Sequence, residues 1–297
     1  MKVAVSGASG FLGSALVPAL EADGHEVVRL VRRPPTSAAE VEWNPEAGTV
    51  DAGRLAGVDG VVHLSGATIG RRWTRARMAE IRASRIETTR LLSETIASLD
   101  PRPAVLVCAG GIGIYGDRGD EILTEESSLG SGFAAEVGKD WEEAAGPARA
   151  AGVRVVSFRQ GVVLGRGEGS FLDRLLTPFK LGLGGRIGSG RQWLSWVELG
   201  DLVEAYRAAL TGELSGALNL VAPNPVKNEQ LTKALGEALH RPTIVPFPAI
   251  AARTVFGQMG EEVLLGSQRA LPARLLDTGF TFRYPDLGSA LERALGE

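Results

Sequence analysis

The sequence predicts an α/β fold, a doubly wound parallel sheet with helices on both faces and a smaller α/β lobe, on three observations. A short β-branched run, Val3-Ala4-Val5, stops at a glycine-rich turn and an apolar helical pattern starts at once. Further apolar runs of strand length recur at Glu26–Val31, Asp59–Ala67, Ala104–Ala109 and Val153–Phe158, with helical patterns between them. Each of the last three gives way to small residues or glycine within a few positions. Strands alternating with helices imply βαβ units and a parallel sheet.

The first unit is the most informative. Gly7, Gly10 and Gly13 are spaced G-x-x-G-x-x-G. The first permits a tight turn, the second a close approach of backbone to a pyrophosphate, and the third close packing of helix on strand. Phe11, Leu12, Ala15, Leu16, Ala19 and Leu20 then fall on one helical face. Such a helix start turns its N–H groups and positive dipole end towards the turn and favours an anion there. Gly7, Ser9, Gly10, Phe11, Leu12 and Gly13 are therefore expected to bind a dinucleotide. Arg32 and Arg33 follow the second strand, where the adenosine ribose lies in such a site, and no carboxylate stands between Leu30 and Ala39. Arginine there suits a 2′-phosphate and a carboxylate a 2′-hydroxyl, so NADP(H) is expected in preference to NAD(H). The strand through Val62 and His63 runs into Leu64, Ser65, Gly66 and Ala67, small enough to leave room for the cofactor. His63 itself reads as a core histidine.

Composition bounds the rest. The 297 residues suffice for one large α/β domain with a smaller lobe, and 44% hydrophobic and 23% charged residues are those of a globular protein. A net charge of −3 without a long basic run argues against nucleic acid as a partner. No apolar run approaches the ~20 residues of a membrane helix, and the glycine turn interrupts any signal-peptide core, so no membrane partner is expected. Cys108 is the one cysteine and three histidines are scattered, so neither an intramolecular disulfide nor a metal cluster is expected, and the setting reads as cytoplasmic. Oligomeric state cannot be read.

Further along, Val41–Trp43 reads as a short strand and Asn44–Gly48 as a turn. A long helix spans about Arg75 to Leu99, stopped by Pro101 and Pro103. Arg71 and Trp73 at its approach are candidates for substrate contact. The stretch from Asp117 to Leu129 is acidic and reads as a lid or a solvated loop. One helix is expected from Phe133 to about Ala151, another over Phe171–Lys180, then a glycine-rich stretch from Gly182 to Gly190. Arg191, Gln192 and Trp193 would face a cleft, Trp193 to stack a ring. A helix over Glu198–Leu210, a strand over Ala217–Val221 and a helix over Asn228–Leu239 follow. Residues 1–221 are expected to form the dinucleotide-binding domain, with 161–195 building the substrate lobe, and 222–297 a small C-terminal lobe.

Together these stretches resemble the extended short-chain dehydrogenase/reductases, which include NAD(P)-dependent sugar-nucleotide epimerases and dehydratases. The resemblance rests on Ser6–Gly13, Val62–Ala67, Ile114-Tyr115-Gly116, Phe158–Gly165 and Trp196–Leu202. Gly70–Thr74, Gly132–Val137, Gln192–Trp196 and the tail from Glu261 to Pro285 are similar to an atypical, epimerase-like bacterial branch with a small C-terminal domain of unknown function.

The resemblance implies a Rossmann-like fold and a Ser/Thr, Tyr and Lys catalytic set, with Tyr-x-x-x-Lys on one helix. Here the hydroxyl position falls on Gly110 or Gly111, the tyrosine on Phe133 and the lysine on Val137. Lys139 is about 200° around the helix from Val137 and cannot replace it. Phenylalanine transfers no proton, so the usual acid/base route, typically worth 10² to 10⁴, is lost. Glu136 and Tyr115 remain as the titratable groups nearby and are the catalytic candidates. Two functions stay open. One is an NADP(H)-dependent oxidoreductase or epimerase acting on a small molecule, the nucleotide-linked class included. The other is an NADP(H)-binding or sensing protein with little catalysis.

Overall fold

The computed structural model describes residues 1–296. Its main sheet holds eight strands: β1 (Lys2–Ser6), β2 (Glu26–Val31), β3 (Glu40–Asn44), β4 (Thr49–Val50), β5 (Gly60–His63), β6 (Val105–Gly111), β7 (Arg154–Gln160) and β8 (Gly216–Leu220). Their order across the sheet is β8-β7-β6-β5-β1-β2-β3-β4, parallel except for the β3–β4 hairpin. The chain moves outward from β1 to β2, then returns past it to β5, so the order reverses between β1 and β5. In an open α/β sheet that reversal opens a crevice at the carboxyl ends of the strands. The step from β2 to β3 has no crossover helix; residues 32–39 span it as a loop.

Among the described residues, eight helices of eight residues or more flank the sheet and build the lobe: α1 (Phe11–Ala22), α2 (Arg75–Ala97), α3 (Phe133–Ala144), α4 (Phe171–Lys180), α5 (Leu199–Thr211), α6 (Asn228–Ala238), α7 (Ala249–Phe256) and α8 (Leu287–Leu295). Strand alternation divides the core. Val3, Val5, Val62 and Val107 point to the face covered by α1 and α5, against Leu16, Leu20, Leu202 and Tyr206. Ala4, Val61, Leu106 and Cys108 point to the other face, covered by α2 through Leu92 and Ile96 and by Ala145 and Ala148. The single helix expected from Phe133 to Ala151 is divided at Ala145, and Gly146–Ala150 forms a separate short helix. Pro147 has no N–H for a continuing ladder, which favours a new helix start there.

The second lobe packs α4, α6 and α8 around Trp196, Leu172, Leu235 and Leu291. Its strands are short: Val162–Leu164 beside Trp196–Glu198, and Trp193–Leu194 beside Val226–Lys227. It is tied back to the main sheet by Asp201 of α5, whose carboxylate accepts the Arg283 and Tyr284 N–H groups at 2.8 and 3.0 Å. The acidic loop after β6 is pinned as well: Ile122–Leu123 pairs with Arg269–Ala270, and Glu125 accepts the Asn219 and Arg274 N–H groups. No helix is long and apolar enough to cross a membrane among the described residues.

Candidate functional site

The crevice begins at the turn between β1 and α1. Gly7 has φ +70°, and a Cβ there would stand 3.0 Å from the Leu64 carbonyl carbon and the Ser65 nitrogen. A Cβ on Gly13 would lie 2.3 Å from the Gly7 oxygen, so helix and turn are as close as glycine allows. Gly10 begins α1 without a side-chain cap, and no acidic residue stands in the first turn. By contrast, Thr74 caps α2, Ser170 caps α4 and Glu198 caps α5 through their side chains. An uncapped helix start beside exposed Ser9 and Gly10 leaves its N–H groups to an anion, and this cradle fits a dinucleotide pyrophosphate. Phe11 and Leu12 are half-buried. The Phe11 ring fills space that Cβ atoms on Gly165 and Gly167 would need, and so joins the turn to the second lobe.

Arg32 and Arg33 both stand exposed after β2, but differently. Arg33 forms a bidentate pair with Glu40 at 2.9 and 2.6 Å. Hydrogen bonds from Arg33 and from the Thr36 N–H hold the Glu40 carboxyl down at about 2. Glu40 lies just beyond the carboxylate-free window that the sequence showed. Arg32 forms no ion pair among the described residues and is the arginine available to a phosphate.

At the end of β5, His63 is buried, with Nδ1 2.6 Å from the Ser6 hydroxyl and Nε2 3.2 Å from that of Thr88. Burial, helped by the charge on Arg85, lowers its pKa to about 4, so it is neutral. The Leu64 N–H is held by Ser6, and the Ala67 N–H by the Ser84 hydroxyl at 2.9 Å. Ser65 is half-buried and Gly66 is exposed.

The two catalytic candidates stand in different environments. Tyr115 is fully buried; its hydroxyl donates to Asn219 at 2.7 Å and accepts from Arg159 at 2.9 Å. Burial raises its pKa against the pull of Arg159. Arg159 is in turn paired with Glu142 at 2.7 and 2.9 Å. Tyr115, expected as a catalytic candidate, thus stands in a buried network with Asn219 and Arg159. Glu136 is exposed, with no hydrogen-bond partner for its carboxylate among the described residues, and nothing orients it for proton transfer.

Phe133 and Val137, where the resemblance implied Tyr and Lys, take part in apolar packing. Val137 is 4% exposed and clusters with Trp73, Ile81 and Met259, with Phe133 and Leu264 packed against them. Trp73, a candidate for substrate contact, packs edge-on to Phe133 at 5.0 Å and donates its indole N–H to the Ile69 carbonyl. Arg71 is exposed. A Cβ on Gly110 would stand 2.8 Å from the Phe158 carbonyl oxygen, so a serine cannot enter there without displacing β7.

The sequence reading missed Glu262. The N-terminus of α3 has no cap of its own, and the Glu262 carboxylate accepts the Phe133 and Ala134 N–H groups at 3.1 and 2.8 Å. Arg72 reaches the same C-terminal segment through the Thr254 and Val255 carbonyls. A glutamate 129 positions away has no local signal that could reveal it.

In the second lobe, Gln192 spends its amide on the Ile187 and Leu264 carbonyls, a positioning contact rather than an open one. Trp193 is half-buried, donates to Asp120 at 2.6 Å, and carries the Arg269 guanidinium 4.3 Å and the Lys227 ammonium 5.3 Å from its ring centroid. The Arg269 Nε is buried without a partner.

Comparisons agree with this geometry. A family model described as the NAD dependent epimerase/dehydratase family matches residues 3–220, and one described as a domain of unknown function (DUF1731) matches 247–294. An epimerase family protein of Mycobacterium bovis is 45% identical over 97% of this chain and 96% of its own length. The crystal structure of human epimerase family protein SDR39U1 (isoform 2) with NADPH superposes with a TM-score of 0.91 at 36% identity, covering 99% of both chains. A nucleoside-diphosphate sugar epimerase of Corynebacterium glutamicum gives 0.81 at 37% identity, covering all of this chain and 58% of the other. With a family model over residues 3–220 and relatives of this identity along nearly the whole chain, the chain belongs to the NAD dependent epimerase/dehydratase family, in the atypical extended branch of the short-chain dehydrogenase/reductases.

Proposed function

We propose that the protein binds NADP(H) in the crevice between β1 and β5 and takes a small, nucleotide-linked substrate against the second lobe, as an oxidoreductase or epimerase that does without the Ser-Tyr-Lys set. The observation that carries the reading is the uncapped start of α1 over the Gly7–Gly13 turn, with Arg32 unpaired at the end of β2. The cofactor, when bound, supplies hydride chemistry. Gly7, Ser9, Gly10, Phe11, Leu12 and Gly13 would hold its pyrophosphate, Arg32 its 2′-phosphate, and Leu64 to Ala67 would flank its path. That the human relative was crystallised with NADPH supports the phosphate assignment.

Titration calorimetry with NADPH and NADH tests it. Arg32→Ala is expected to cost about 10- to 100-fold in NADPH affinity, the worth of a charge-assisted contact, and to leave NADH unchanged. Arg33→Ala is expected to act less, because Glu40 already holds that guanidinium. An unchanged NADPH/NADH ratio in both variants would reject the assignment.

Trp193 with Arg269 and Lys227 supports the substrate class, since a ring flanked by cations suits a base and its phosphates. Uridine diphosphate is expected to bind the wild type and to lose at least about tenfold with Arg269→Ala. A second reading, NADP(H) sensing without turnover, is favoured by the apolar filling at Phe133 and Val137 and by the exposed, unpartnered Glu136. Absorbance at 340 nm across a carbonyl and sugar-nucleotide panel separates the two. The buried lone cysteine and the absence of a membrane-length helix among the described residues support a cytoplasmic setting.

A further inference from the structure

Arg85 is a guanidinium in an unusual place. It rises from α2 beneath the loop that follows β5, and Nη1 donates to the Ala67 carbonyl at 3.0 Å and more weakly to that of Ile81 at 3.4 Å. One side is covered by the Trp141 ring, with the guanidinium carbon 5.0 Å from its centroid. No carboxylate pairs with it among the described residues, and its Nε and Nη2 donate to nothing there. Enclosure lowers its pKa to about 10, with the charge of Arg77 adding to the effect, which still leaves it a cation at neutral pH.

The way out of this enclosure is a glycine. A Cβ on Gly66 would lie 3.2 Å from the guanidinium carbon and 3.3 and 3.4 Å from Nη2 and Nη1. Gly66 is itself exposed and does not have the positive φ that would demand glycine, so backbone conformation does not explain it. What it does is uncover the guanidinium to the crevice, one strand over from the Gly7 turn. A half-buried cation whose Nε and Nη2 meet no protein acceptor, and which has no anion of its own, is open to a partner from the crevice.

The geometry points to Arg85 as the cation that holds the nicotinamide-ribose half of the cofactor from beneath the end of β5, and whose charge favours the reduced ring over the oxidised, positively charged one. This rests on the NADP(H) reading above. It also places, on a neighbouring helix, a positive charge in the region where Val137 supplies none. Trp141, on which the guanidinium stacks, lies one helical turn after Val137 on α3.

The test compares dissociation constants of NADPH, NADP⁺ and 2′,5′-ADP, which carries only the adenosine half, for the wild type, Arg85→Met, Arg85→Lys and Gly66→Ala. Arg85→Met is expected to weaken NADPH about tenfold, to leave 2′,5′-ADP unchanged and to lower the NADP⁺/NADPH ratio of constants. Arg85→Lys keeps the charge and is expected to preserve that ratio. Gly66→Ala closes the opening on an intact Arg85 and is expected to weaken NADPH but not 2′,5′-ADP, which keeps the test decisive if Arg85→Met fails to fold. The inference is overturned if NADPH affinity is unchanged, if NADPH and 2′,5′-ADP weaken by the same factor, or if the ratio does not fall in Arg85→Met. A wild type that binds neither NADPH nor 2′,5′-ADP would instead overturn the cofactor reading.

Discussion

His63 shows what a single buried side chain contributes to the pH response. Its ordinary pKa of 6.5 falls to about 4 in the fold, chiefly through burial. Above pH 6.5 it is neutral in both states and imposes no loss. Between pH 6.5 and 4 the unfolded chain takes up a proton that the folded chain refuses, so stability falls by roughly 1.4 kcal/mol per pH unit from this group. His63→Gln is expected to flatten the stability curve across that window, measured by urea unfolding at stepped pH against the wild type. Gly13 is a residue-scale case of another kind. Gly13→Ala forces a Cβ to 2.3 Å from the Gly7 oxygen, which should cost about 1–3 kcal/mol by overpacking. Calorimetric melting should show the loss, and NADPH binding should weaken with it. Gly13 was legible in the sequence because a glycine at that spacing has a specific packing reason. Arg33 was only half legible: its place after β2 was clear, its pairing with Glu40 was not.

At the scale of the element, the informative contrast is between two helix starts that lack their own cap. Gly10 leaves α1 open, whereas Gly132 leaves α3 to be closed by Glu262 from the C-terminal lobe. Glu262→Ala removes an N-cap, worth about 1 kcal/mol, and loosens the segment around Met259 from Phe133 and Val137. Expected outcomes are a fall in Tm of roughly 2–4 °C and faster limited proteolysis between Gly257 and Gly266. The same packing explains why the usual catalytic pair cannot simply be restored. Val137→Lys would bury an ammonium among Trp73, Ile81 and Met259, a costly placement for an unpaired charge. The double variant Phe133→Tyr/Val137→Lys is therefore expected to melt at least about 5 °C lower, more than 1 kcal/mol at this size. It is expected to gain no carbonyl reduction at 340 nm.

For the whole molecule, Cys108 offers a probe of global opening. It lies in the centre of the sheet, 3% exposed, and burial pushes its thiol up to about 12, only partly countered by Arg149. Iodoacetamide at pH 8 is expected to leave the native protein unmodified and to label it at the rate of global unfolding; rapid native labelling would show that the sheet opens locally. The doubly wound order, the parallel strands and the glycine turn were all readable in advance. Each is written in local periodicity and spacing: β-branched runs, a helical apolar face, three glycines at fixed intervals. The assignment of Phe133 and Val137 to the Tyr and Lys positions rested instead on the family resemblance. What only the tertiary structure decided is how residues distant in sequence meet: Glu262 on the start of α3, Arg85 beneath Gly66, Arg269 on Trp193, and Tyr115 withdrawn into a network with Arg159 and Asn219. Those contacts depend on which surfaces the packed strands and lobe bring within a few ångströms, and periodicity along the chain carries no record of that.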